Sequence, residues 1–113
     1  MSRPANNFFK LEMLLLKIIE QQDCYGYQIT QIISQLSNNK IDIKEGTMYP
    51  VLYRLMDNGY ISDQKVLVGK RLTRIYYHIE PEGRKYLQEL HEEYLETVDS
   101  INNIMLWEGK YNE

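Results

Sequence analysis

The segment Lys44–Arg74 changes its apolar rhythm once, at a glycine, and that change limits what the chain can fold into. Before it, Met48, Leu52, Leu55 and Met56 recur at helical spacing, so one side of a short helix is buried. Gly46 opens this helix, Pro50 is expected in its first turn where N–H groups lack internal partners, and Asn58-Gly59 closes it. After it, Tyr60–Val68 and Leu72–Ile79 are rich in Val, Ile, Tyr and Thr and flank Gly69-Lys70, which predicts a β-hairpin. A short helix followed by a strand–turn–strand is too small to stand alone, so the flanking segments must supply the core.

Those segments read as helices. Phe8–Gln21 carries Phe8, Leu11, Leu14, Leu15, Ile18 and Ile19 on one face, widened by Phe9, Met13 and Leu16. A face this wide suits a central core helix or one shared with a second copy. A second helix spans about Tyr25–Ser37, with Tyr25, Ile29, Ile32, Ile33 and Leu36 inward, Asp23 as its cap and Ser37-Asn38-Asn39 as its stop. Ile41-Asp42-Ile43 alternates as a very short strand does. The last helix starts at Glu80-Pro81-Glu82 and runs to about Trp107, before Gly109. Its apolar residues Leu87, Leu90, Tyr94, Val98, Ile101 and Met105 keep a heptad-like rhythm, while Glu89, Glu92, Glu93 and Glu96 stay outside. The fold class is mainly α with a small β-hairpin: a winged helix-turn-helix with a long C-terminal helix.

Charge divides the chain into two jobs. Residues 1–78 carry ten Lys and Arg against seven Asp and Glu; residues 79–113 carry three against nine. The first part can meet a polyanion and the second cannot. The expected division is therefore a winged helix-turn-helix DNA-binding domain over 1–79 and a dimerisation helix with its tail over 80–113. No apolar run is long enough to span a membrane, Arg3 leads into no secretory apolar segment, and Cys24 has no internal disulfide partner. A cytoplasmic protein is expected.

The residue types favour recognition over catalysis. Thr47, Tyr49 and Tyr53 present hydroxyls and rings that can meet base edges, phosphates or thymine methyls in a major groove. Arg54 can reach a phosphate or fold back on Asp57, and Lys44 with the helix N-terminal amides can hold a backbone phosphate. Lys65–Arg74 contains four cations and no acid, so Lys70, Arg71 and Arg74 are expected to contact phosphates or a minor groove. His78, His91 and Cys24 lie apart, with no metal-ligand spacing and no phosphate loop, so no enzyme, metal or cofactor is expected. The competing reading is a winged helix that binds protein through the same surfaces.

Tyr25-Gly26-Tyr27-Gln28-Ile29, Gly46–Leu55, Asn58-Gly59-Tyr60-Ile61 and Tyr76–Gly83 together resemble the PadR family of bacterial transcriptional regulators. The resemblance covers roughly residues 8–107. It implies a homodimer that represses transcription at a palindromic operator in double-stranded DNA and is released by a small, often aromatic, effector. A single C-terminal helix resembles the short subfamily, which includes multidrug-responsive repressors. On that basis Leu11, Leu15, Leu87, Leu90, Tyr94, Val98, Ile101 and Met105 are expected at the dimer interface. Tyr94, with Leu90 and Val98, is expected at an effector cavity. Two departures are visible. Leu72, Thr73 and Ile75 dilute the charge of the wing, and the tryptophan that multidrug members place mid-helix corresponds to Tyr94, with Trp107 more than three turns further on.

Overall fold

The computed structural model of the chain describes residues 9–111; Phe8 and Arg3 lie outside the described residues. Seven elements follow in order: α1 (Leu11–Gln21), β1 (Cys24–Tyr25), α2 (Gly26–Leu36), α3 (Glu45–Asp57), β2 (Ile61–Val68), β3 (Leu72–Ile79) and α4 (Pro81–Met105). The antiparallel sheet has the order β1-β3-β2.

Much of the wide apolar face of α1 is covered within the chain, while Phe9, Leu11, Leu14 and Ile18 stay half-buried. Met13, Leu15, Leu16 and Ile19 are buried because α2, α3, β3 and α4 all pack on this helix. Ile29 and Ile33 of α2, and Met48, Val51, Leu52 and Leu55 of α3, close the same core. Val51 joins the expected apolar set of α3, and Met56 sits half-buried at its edge.

Several local expectations are corrected. Asp23 does not cap α2: Tyr25 is the N-cap, in extended conformation, and Asp23 Oδ1 instead lies 2.8 Å from His78 Nδ1. Leu36, the last residue of α2, is 75% exposed rather than inward, because the helix ends there and turns away. The turn needs left-handed backbone at Asn38 (φ 54°) and Asn39 (φ 65°), which asparagine tolerates well. Ile41–Ile43 is not a strand. Ser37 Oγ accepts the Ile41 N–H at 3.0 Å, so this backbone is tied to the end of α2 and both isoleucines pack against the core from a loop. The third strand is β1, whose partners are Tyr77 for Cys24 and Tyr76 for Tyr25.

Pro50 lies in the second turn of α3, not the first, because the helix starts at Glu45. Its missing N–H leaves the Gly46 carbonyl without a helical donor, and Gly46 is exposed, so water can serve that oxygen. The far end matches expectation: Tyr60 N–H donates to Leu55 O (2.9 Å) and Gly59 N–H to Met56 O (3.0 Å), with Gly59 at φ 75°. The hairpin is also as expected. Its strands pair from Ile61–Ile79 to Val68–Leu72, and Gly69 (φ 81°) turns the chain with Lys70 and Arg71. Pro81 is the first residue of α4.

Leu87 and Leu90 of α4 are buried on the chain's own core, as is Leu15. The outer part of the helix leaves the body, with every described residue beyond Val98 exposed, and the molecule is 69 Å long against 33 and 23 Å. Leu95, Ile101, Ile104 and Met105 are exposed on that arm, and α4 ends at Met105, two residues before Trp107.

Candidate nucleic-acid interface

The first face of the candidate site is the outer side of α3. The buried residues Met48, Val51, Leu52 and Leu55 fix its rotation, so Thr47, Pro50, Tyr53 and Arg54 face outward. Tyr53 is 54% exposed, whereas Tyr49 is half-buried against Gly26, the first residue of α2. The two rings stack with centroids 6.2 Å apart and planes at 29°. Burial, then Glu45 and Tyr53, push the Tyr49 phenol up. Behind them Tyr77 of β3 is held up at about 12 by burial, then by Tyr49, Tyr53 and Asp63. Tyr49 and Tyr77 are thus held in the neutral form near pH 7, and a neutral phenol can donate a hydrogen bond.

The cations are not equally available. Lys44 is the N-cap residue of α3 and exposed, but its Nζ lies 2.8 Å from Asp42 Oδ2, whose hydrogen bond and charge raise its pKa. Arg54 is turned to α1, not to Asp57: its Nη2 is 4.0 Å from Glu12 Oε1. That carboxylate also accepts the Tyr86 O–H at 2.6 Å, and the Tyr86 ring stacks on Tyr60 at 4.4 Å. Lys70 and Arg71 stand exposed at the tip of the wing. Arg74 does not join them, for its guanidinium lies over the Tyr25 ring, 4.4 Å from the centroid. Nothing in the sequence pattern signalled this contact, which depends on β1 pairing with β3. The wing also shows apolar residues, with Leu67, Leu72 and Ile75 exposed.

This arrangement suits binding rather than bond-making. Among the described residues no group of His, Cys, Asp and Glu is placed to hold a metal ion. Cys24 is buried, its thiol pushed up by burial while it donates to Gln22 O at 3.1 Å. No helix among the described residues is long and apolar enough to cross a membrane.

Elsewhere α1 and α4 border a cleft of about 670 Å³ lined by Phe9, Met13, Leu14, Ile41, Leu87 and Tyr94. Lys17, Glu20, Arg84, Lys85, Gln88 and His91 complete its wall. Of the expected effector residues Tyr94 lines this cleft. Leu90 lines only a smaller hollow beside Tyr94, and Val98 lines neither. Of the expected interface residues, Leu11, Tyr94 and Val98 are half-buried, and Ile101 and Met105 are exposed. Leu95, Ile104, Leu106 and Trp107 are exposed as well and belong to the same apolar arm; the heptad count passed over them.

Residues 15–89 match the model of the transcriptional regulator PadR-like family. The chain belongs to that family. Its members are regulators of transcription, not enzymes. A transcriptional regulator from Clostridium thermocellum is 35% identical, with a TM-score of 0.77 over 82% of this chain and 90% of its own. The negative transcriptional regulator PadR of Bacillus subtilis is 27% identical over 82 residues, 73% of this chain. This chain spans 43% of that protein's length. The structure of Bacillus subtilis PadR in complex with operator DNA shares the fold, with a TM-score of 0.62 at 22% identity over 91% of this chain and 51% of that one.

Proposed function

We propose that this PadR-like regulator is a cytoplasmic, homodimeric repressor that reads a palindromic operator and is released by a small effector. The observation that carries the reading is the juxtaposition of an outward, hydroxyl-bearing face on α3 with a hairpin ending in Lys70 and Arg71. In this reading Thr47, Tyr49 and Tyr53 meet base edges and sugars in the major groove, while Lys44, Arg54, Lys70 and Arg71 hold phosphates. Residues 1–79 bind DNA. The projecting half of α4, from Tyr94 to Met105, pairs with its counterpart and sets the two recognition helices about one helical turn of DNA apart. Support comes from the family and from the name of the Bacillus subtilis relative, a negative regulator. The cleft at Tyr94 is where a flat aromatic effector would bind, acting by its preference for one inter-subunit arrangement over another.

Selection of bound fragments from random duplex DNA by the purified protein tests this reading. A palindromic consensus is expected; no enrichment at low salt would overturn it. A second reading, a protein-binding winged helix, is favoured by the exposed Leu67, Leu72 and Ile75. It predicts binding that barely changes with salt.

A further inference from the structure

The outward side of β3 is engaged residue by residue by the short segment that precedes α2. His78 meets Asp23 (2.8 Å, Nδ1 to Oδ1), Tyr76 meets Tyr25 edge to face (centroids 5.4 Å apart, planes at 69°), and Arg74 lies over the same Tyr25 ring at 4.4 Å. His78, Tyr76 and Arg74 alternate along the strand and so share one side of the sheet. Backbone pairing to β1 stops at Tyr76. Past that point the hairpin is a two-stranded ribbon, which is marginal on its own in water. Arg74 is thus the last residue of the wing held from the side, and Tyr25 is what holds it. Tyr25 is also the N-cap residue of α2, so the wing is fastened to the first helix of the helix-turn-helix rather than to a loop.

We infer that Tyr25 is a positioning residue for DNA recognition, using its ring as a platform for the Arg74 guanidinium to set the wing, with Lys70 and Arg71 at its tip, against the helix-turn-helix. Arg74 then works through stacking on an aromatic face, which a planar guanidinium does and an ammonium does less well. This inference rests on the DNA-binding reading, and it carries a test that does not need DNA.

Amide hydrogen exchange over residues 66–74 is measured on the free protein as wild type, Tyr25→Phe, Tyr25→Leu and Arg74→Lys. Tyr25→Leu and Arg74→Lys are expected to speed exchange there by about five- to tenfold, with Tyr25→Phe unchanged and exchange in α1 and α4 unaffected. Equal wing exchange in all four would overturn the inference, as would faster exchange in Tyr25→Phe. If Tyr25→Leu does not fold, Arg74→Lys alone decides. On a random-sequence duplex, Lys70→Ala with Arg71→Ala is expected to flatten the salt dependence in the wild-type background and much less in the Tyr25→Leu background. The same flattening in both would refute the positioning role. Failure of the wild type to bind any duplex would count against the DNA reading, and the exchange result would still judge the platform.

Discussion

Gly26 and Gly83 both leave no room for a methyl group, yet the two positions have different consequences. A Cβ at Gly83 would overlap the Tyr60 carbonyl, which accepts the Glu80 N–H at 2.9 Å and joins α4 to the end of α3. Backbone cannot yield cheaply, so Gly83→Ala is expected to destabilise the protein by about 2–3 kcal/mol in urea unfolding. A Cβ at Gly26 would instead meet the Tyr49 hydroxyl, the free end of a side chain. Gly26→Ala also presses on the Tyr49 ring and the buried Met48 methyl, so it should cost about 1–2 kcal/mol and turn Tyr49 outward, changing operator discrimination as well as stability. Tyr49→Ala, assayed on operator and random duplexes, should likewise narrow the ratio between them; global unfolding would make Tyr49 a core residue. Tyr77 gives a pH signature. Its phenol sits at about 12 in the fold against 10.0 when free, so its contribution is whole below pH 10 and is lost as pH climbs through 12. Urea midpoints should therefore fall as pH rises from about 10 to about 12, and Tyr77→Phe should remove part of that fall. Tyr86, also pushed up by burial and by its bond to Glu12, accounts for a further share.

At the scale of elements, what could be read from sequence was what repeats. The apolar periods of α3 and α4, the glycine at the wing turn and the Pro81 start each leave a signal several residues long, and each was found where expected. What could not be read was what depends on a neighbour. The strand β1 is two residues, invisible until β3 is beside it, and with it went the true partners of Asp23 and Arg74. Ile41 and Ile43 alternate like a strand, but Ser37 Oγ takes the Ile41 N–H and both pack on the core from a loop. The candidate site divides the same way. Exposure of Tyr53, Lys70 and Arg71 follows from local pattern, whereas the turn of Arg54 towards Glu12 follows from the placement of α1. The wing makes its own prediction. Lys70→Ala with Arg71→Ala should lower affinity and reduce the slope of log K against log salt by about one to two units. An unchanged slope would remove the wing from the interface.

Across the whole molecule, α4 is where apolar pattern and packing part. Its heptad rhythm runs unbroken through Leu87 and Leu90, which the chain buries, into Ile101 and Met105, which it does not. Periodicity reports that a face is apolar; it does not report what covers it. The outer half of this helix carries the dimer expectation, and Ile101→Glu with Met105→Glu should leave a folded protein that sediments as a monomer at micromolar concentration. Operator affinity should then drop by about a hundredfold or more, since two half-sites are no longer engaged together. Trp107, whose Nε1–H donates to Lys110 O at 3.1 Å, gives a fluorescence report from the same arm.

Glu12 ties these scales together. One carboxylate accepts from Tyr86 on the long helix and faces Arg54 on the helix that bears the tyrosine pair, so a single anion sits at the junction of three rods. Glu12→Gln leaves the volume in place but removes the charge, so the pairing with Arg54 is lost and the bond from Tyr86 is weakened.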